Sequence, residues 1–510
     1  MFGPLFLMIR IRKIFLMKPL LLSLLLASSL CADPRVKAPS EQMALLYSEN
    51  GGYREQANHP EATLASTNLA MRTFRYLGIE KQDTSAQRAF LESCYDSEKT
   101  AFVEVGAEAP TIRTNAQALM LMGELRYPKN ILAISARDYL TENAQTPDDI
   151  YIAMAGMVTM GLTHEIPASW LKTMMEVAVS EDPNTSGYQK ARAIITCMRA
   201  GLNLPDYSLF LPIMEEGLKE VTSDPEFYHD PELLQHAYAF ARATLMIDGR
   251  VELSLPDLDK LNSPTPNLSQ LYRVTILQAW KSRLQGQLKV AISPGFAPIS
   301  YRDEAGHMAG MDADLLRAFA EEEGYELLFV EQKHFNGIWE LPARGHFDIS
   351  VSGLTKRDDI LSPGLRWSYP YFDVERSLSI LKSNEDRFRN IADFDGMKIA
   401  VITGTTDDQD IFSRNLHAIR VPYDNEEAAT KDLLAGKVHA LSRSDLSNRH
   451  SARRHPELTV IDRHSSDPSE ELVMAVASER VSLGQKLDRF LRNKRRSGEL
   501  NKLFKNYLND

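Results

Sequence analysis

Two short strings carry the side chains best suited to gripping a small polar ligand. Ser352-Gly353-Leu354-Thr355-Lys356-Arg357 offers hydroxyls and a guanidinium, and Gly404-Thr405-Thr406 offers two hydroxyls and a flexible glycine backbone. An arginine fork matches a carboxylate through two parallel hydrogen bonds, and hydroxyls complete such a grip. The set therefore suits recognition of a small carboxylate, such as that of an amino acid. The plainer reading is two unrelated turns, since Gly and Thr are common after strands. Each string follows an apolar, strand-like run, Phe347-Asp348-Ile349-Ser350-Val351 in one case and Met397-Lys398-Ile399-Ala400-Val401-Ile402 in the other. Both thus sit at a strand's carboxyl end, where open α/β sheets place their ligands.

The elements that must hold these turns belong to a chain too long for one core. Its 510 residues imply two to four domains. A composition of 44% hydrophobic and 25% charged residues is that of a globular protein, and with a net charge of −11 nothing suggests the basic face that a nucleic-acid binder needs. At the N-terminus Met17-Lys18-Pro19 precedes an apolar run from Leu20 to Ala27 and small residues up to Ala32. A short basic region, a short apolar run and small residues read as a secretory signal over residues 1–32, cleaved after Ala32. The expected location is the periplasm, with no membrane span left after cleavage. The rivals are an uncleaved anchor and lipid attachment at Cys31, which Leu30 disfavours. Cys94 and Cys197 then remain. In an oxidising compartment they could pair, although buried thiols are the commoner role. The histidines are scattered without metal-ligand spacing, and no cofactor is expected.

Two halves differ in rhythm. Residues 33–284 show apolar residues at intervals of three and four, the period of helices. A motif recurs at Ser66, Arg113 and Asp149, with weaker echoes near Gln189, Gln235 and Gln270. A period of about forty residues suits helix pairs that bury each other's apolar faces. From residue 285 the pattern changes. Residues 288–292 alternate as a strand, 314–324 read as a helix stopped by Gly324, and 326–330 as a further strand. Alternating strands and helices then run to the C-terminus, implying mainly parallel βαβ construction. The expected fold class is thus an all-helical repeat followed by an α/β unit.

Within the helical half, residues 60–165 resemble the α/α-toroid repeat of prenyltransferases and terpenoid cyclases, though Thr100-Ala101-Phe102 stands where those repeats carry Gly-Gly-Phe. Neither the acidic motif of the cyclases nor the zinc set of the prenyltransferases is present. A toroid- or solenoid-like interaction domain is the expectation. Residues 287–508 resemble the periplasmic solute-binding proteins of family 3, the polar amino-acid type. The resemblance rests on an ordered series: 288–292, Phe296-Ala297-Pro298, Gly310-Met311-Asp312, Phe335-Asn336-Gly337, Ser352–Thr355, Trp367-Ser368-Tyr369-Pro370-Tyr371, Gly404-Thr405-Thr406 and Leu433–Val438.

The resemblance implies two α/β lobes closing like a hinged clamp, the first over 287–380 and 472–510, the second over 383–470. The implied crossing strands lie near 377–381 and 471–476. It implies ligand contacts from Ser352, Gly353, Thr355, Gly404, Thr405, Thr406 and the aromatic Phe335. Arg357 or, past an apparent insertion, Arg366 would hold a carboxylate. Asp312 would order the first lobe. The family's ammonium-binding Asp is here replaced by Ser444, with Asp445 one place late, so an ordinary α-amino acid is in question as the ligand. The implied function is a non-enzymatic binding protein read by a partner, an ABC permease or an envelope protein docked on the helical half. A second class is a cyclohexadienyl dehydratase, suggested by Arg454-His455-Pro456-Glu457-Leu458 beside Gly404-Thr405-Thr406, with Glu470 or Glu471 as proton donor. A third is an envelope scaffold with a degenerate cleft.

Overall fold

The computed structural model describes residues 39–79, 81, 83–202, 207–251, 267–356 and 364–508. The segment read as a secretory signal and Arg357 lie outside the described residues.

The first half is built from helices α1 (Pro39–Leu45), α2 (Leu64–Tyr76), α3 (Ser85–Ser93), α4 (Ile112–Glu124), α5 (Ile131–Asn143), α6 (Pro147–Thr159), α7 (Ala168–Ala178), α8 (Gly187–Arg199), α9 (Leu211–Ser223), α10 (Pro231–Met246) and α11 (Leu268–Leu284). Six of them start at the six sequence echoes, and the cause is local. Thr63, Thr111, Thr146, Ser186, Asp230 and Asn267 each accept a first-turn backbone N–H of α2, α4, α6, α8, α10 and α11. Such caps satisfy donors that a helix start leaves orphaned. These six pack in cyclic order: α2 on α4, α4 on α6, α6 on α8, α8 on α10, α10 on α11, and α11 back on α2. Helices α5, α7 and α9 alternate with them along the chain and pack on α4, α8 and α10. Close approach is built in, since a Cβ on Gly156 would lie 2.8 Å from the Ala116 carbonyl oxygen. Cys94 and Cys197 are free, buried thiols, and desolvation pushes each up to about 12. One hairpin interrupts the helices, β1 (Tyr95–Asp96) with β2 (Ala101–Phe102). Strands of two residues carry no period for sequence reading to find.

The second half holds β3 (Gln287–Ile292), β4 (Tyr301–Arg302), β5 (Met308–Ala309), α12 (Met311–Glu323), β6 (Glu326–Glu331), β7 (Ile349–Val351), β8 (Leu365–Trp367), β9 (Phe372–Leu381), β10 (Lys398–Ile402), α13 (Asp407–Arg414), β11 (Ile419–Tyr423), α14 (Glu426–Leu434), β12 (Ala440–Ser444), α15 (Asp445–Arg454), β13 (Leu458–Leu472), β14 (Ala475–Ala477), α16 (Val481–Ser497), α17 (Glu499–Leu503) and α18 (Lys505–Leu508). Two five-stranded sheets form, in the orders β6-β3-β7-β14-β8 and β11-β10-β12-β9-β13. Each has a separate apolar core, one around Phe319 and Phe490, the other around Phe388 and Phe394. The chain passes between them at 368–372 and 472–474. Strand β9 pairs with β13 from Phe372 to Leu381 and with β12 from Arg376 to Ile380. The change of lobe therefore falls near Phe372, earlier than the boundary at 380 that the sequence resemblance implied.

The helical half docks on the first lobe. Arg283 and Arg480 reach the fully buried Asp348 at 3.6 and 3.3 Å. Asp248 receives Arg480 at 3.0 Å, Lys486 at 2.7 Å and the Tyr325 hydroxyl. Gly345 lies against the Tyr76 ring, where a Cβ would come within 2.4 Å. Glu479 pairs with Arg242 and stands 3.9 Å from Arg199. The first lobe thus covers the end of the helical assembly where the helices finish.

Candidate ligand cleft between the lobes

A cavity opens where the two sheets face each other, leaving about 60 Å³ to water-sized molecules. Lobe 1 contributes Phe296, Ile299, Phe335, Trp339 and the turn Gly353-Leu354-Thr355. That turn follows β7, and its approach is set by Asp312. The Asp312 carboxylate accepts the Gly353 N–H at 2.8 Å and the Tyr371 hydroxyl, while burial pushes its carboxyl up to about 6. The Phe296 and Phe335 rings lie 4.7 Å apart at a tilt of 53° and form an apolar wall with Trp339. Lobe 2 contributes Gly404-Thr405-Thr406 after β10, Asp407 at the start of α13, Glu426 of α14, and Arg443, Ser444 and Ser447. The lobes are closed on each other. Gly404 has a φ of +85°, and a Cβ there would stand 2.8 Å from Asn336 Oδ1 of the opposite lobe.

The charges gather on the lobe 2 side of the cavity. Arg376 of β9 lines the cavity and is buried, with 5% of its side chain exposed. Its guanidinium pairs with Asp407 of lobe 2, donates through Nε to Glu470 of β13 at 3.2 Å, and reaches the Thr406 hydroxyl. Thr406 in turn donates to Glu470 at 2.8 Å. A second buried pair joins Arg443 to Glu426 at 2.8 Å, with Arg443 Nε donating to Asn448 at 2.9 Å. Burial raises the Glu426 carboxyl above its ordinary value, and Arg443 opposes that rise. Two guanidiniums thus face three carboxylates inside the cleft.

Of the residues singled out in the sequence, Phe335, Gly353, Thr355, Gly404, Thr405 and Thr406 line this cavity. Ser352 stands just behind it, its hydroxyl accepting the Ser293 N–H at 2.7 Å and tying β7 to β3. Arg366 does not reach the cleft. It pairs with Asp488 and lies against Gly484 of α16, so its role is to fasten β8 to that helix. Asp445 does not line the cavity either: as the first residue of α15 it holds Arg449 at 2.8 Å and Arg463 at 3.3 Å. Glu471 faces Arg495 at 3.9 Å. Sequence reasoning passed over Arg376, Arg443 and Glu426. The available signal was an arginine at the edge of a small and apolar run, in Arg376-Ser377-Leu378-Ser379-Ile380 and in Ala440-Leu441-Ser442-Arg443.

Two α/β lobes joined by crossing strands, with a polar cavity between them, define a clamp of the periplasmic-binding-protein type. Residues 288–510 match the family model for bacterial extracellular solute-binding proteins, family 3. Among curated relatives, the cyclohexadienyl dehydratase of Pseudomonas aeruginosa is 29% identical over 38% of this chain and 73% of its own length. The amino-acid-binding protein AabA of Dichelobacter nodosus is 26% identical over 42% of this chain and 85% of its own. The chain spans only 44% of a probable histidine-binding protein of Campylobacter jejuni, at 27% identity. Among solved structures, a mutant of ArgBP from T. maritima is matched over its whole length and 46% of this chain, at 27% identity and a TM-score of 0.41.

Proposed function

We propose that residues 285–510 bind a small zwitterionic molecule of the amino-acid class between the lobes, without chemical turnover. The observation that carries this reading is the placement of Arg376 between Asp407 and Glu470 in a cavity lined by both lobes. An arriving carboxylate would take the guanidinium, and the released carboxylates would take the ligand's ammonium. Buried charges need such partners, so the exchange leaves none uncompensated. Asp407 and Glu470 thereby replace the displaced Asp445 as ammonium acceptors. Phe335 and Phe296 would cover the ligand's apolar portion. Two relatives whose names specify histidine or amino-acid binding support the class. Closure on ligand would shift an equilibrium that a partner reads, an ABC permease or an envelope protein. The family description and the apolar N-terminus support a periplasmic location, and no helix among the described residues is long and apolar enough to cross a membrane. The cyclic packing of the six capped helices supports a toroid-like reading of the first half.

A thermal-shift panel of amino acids and dicarboxylates on the full chain tests the reading, since a ligand at a hundred times its Kd adds about 2.7 kcal/mol. A hit retained unchanged by Arg376→Ala overturns it. A second reading, a dehydratase, is favoured by one observation: Glu426 lines the cavity with a carboxyl raised by burial, as a general acid requires. Turnover of prephenate or arogenate, lost in Glu426→Gln, would select it.

A further inference from the structure

The helical half contains a cavity of its own. The six capped helix starts bring their N-termini to one end, opposite the end covered by lobe 1. A space of about 560 Å³ opens there, lined by Arg113 of α4, Arg192 of α8 and Arg273 of α11 among others. Glu55, Asp148 and Glu232 line the same space, and two of them are already engaged. Asp148 is held by Arg192 at 2.5 Å, and Glu55 accepts the Ser269 N–H at 2.9 Å. Glu232 is exposed and stands 3.8 Å from His236. Arg192 keeps a buried Nε with no hydrogen-bond partner among the described residues, its guanidinium lying 4.3 Å over the Tyr151 ring.

Below the rim the interior is charged where a purely structural core would be apolar. Arg199 lies two turns along α8 from Arg192, and Tyr238 and Arg242 follow Gln235 along α10. Arg72, Arg75, Arg199 and Arg242 have Glu124 and Glu479 as counterions, four guanidiniums against two carboxylates. Arg199 Nη1 and Arg242 Nε are buried without hydrogen-bond partners among the described residues. Burial alone would raise the Tyr238 hydroxyl, yet Arg242, Arg72 and Arg199 outweigh it and draw it down. Cationic excess in a low-dielectric interior is costly, and six helix N-termini add positive potential at the open end. An anion entering there offsets both.

We infer that this end of the helical assembly is a second ligand site, distinct from the cleft, that takes a small carboxylate- or phosphate-bearing molecule through Arg113, Arg192 and Arg273. Isothermal titration of the full chain with citrate and with pyrophosphate tests it and separates the two anion chemistries. Binding of at least one probe is expected, weakened at least about tenfold in Arg113→Ala/Arg273→Ala and retained in the cleft variant Arg376→Ala. Because Arg113 is exposed, Arg113→Glu alone should also weaken binding while leaving the melting temperature of the free protein unchanged. Failure of both probes to bind, binding indifferent to the Arg113 and Arg273 changes, or binding lost only in Arg376→Ala each overturns the inference. Since the cleft and this site are read by different variants, failure of one leaves the other standing.

Discussion

Arg376 and Asp407 pair within lobe 2 beside its junction with lobe 1, one from the strand that enters the lobe 2 sheet and the other from the first turn of α13, with 5% and 6% of their side chains exposed. Arg376, Asp407 and Glu470 all belong to lobe 2, and the cavity sets them opposite the lobe 1 turn Gly353-Leu354-Thr355. Removing the guanidinium in Arg376→Ala leaves Asp407 and Glu470 facing each other in a buried site. Loss of one partner of a buried pair costs about 3–5 kcal/mol. Urea denaturation should show a loss of that order, and the Asp407→Asn/Glu470→Gln background should recover part of it.

The jaws touch at Gly404 and Asn336. A side chain at Gly404 meets Asn336 at 2.8–3.0 Å and must also adopt a φ of +85°, which L-residues avoid. Gly404→Val is expected to favour the open clamp and to weaken any cleft ligand by about tenfold or more. Small-angle scattering should show an expanded binding unit.

Asp312 makes stability depend on pH. Its carboxyl is raised by burial to about 6 in the folded chain, against about 3.9 when unfolded. The folded state therefore holds the proton more tightly, and its contribution is complete below about 4 and lost as pH rises through about 6. Stability should fall by up to about 2–3 kcal/mol over that window. In Asp312→Asn the dependence over the same window should flatten, as read by denaturation at a series of pH values.

Asp248 holds the two halves together through Arg480, Lys486 and Tyr325, with 4% of its side chain exposed. Asp248→Ala leaves Arg480 with Asp348 alone and should cost up to about 3–5 kcal/mol at the interface. Calorimetry should then resolve separate transitions for the helical half and the clamp where the parent chain melts more cooperatively.

Cys94 and Cys197 should resist alkylation in the folded chain, because thiolate is the reactive form and burial lifts both thiols to about 12. Mass spectrometry after iodoacetamide should show modification only once denaturant has opened the helical half.

Much of this architecture was legible in local pattern. Helix starts at Thr63, Thr111, Thr146, Ser186, Asp230 and Asn267 are written into the chain as caps followed by apolar periodicity, and those signals act over a single turn. The turns after β7 and β10 were legible for the same reason, since a strand end and a glycine are local facts. Sequence by itself therefore determined the division into a helical half and an α/β half, and the glycine-containing turns that edge the cleft.

Tertiary structure decided which charges meet. Arg366 and Arg376 are ten residues apart, yet one fastens β8 to α16 and the other enters the cleft, because the chain changes sheets between them. Asp445 and Ser444 are neighbours, yet the serine caps α15 and lines the cavity while the aspartate holds Arg449. The partners of Arg376 lie 31 residues away at Asp407 and 94 away at Glu470. No periodicity encodes such pairings. They follow from the desolvation of each charge once the lobe 2 strands and helices pack, which makes a distant carboxylate the cheapest neighbour a buried guanidinium can have.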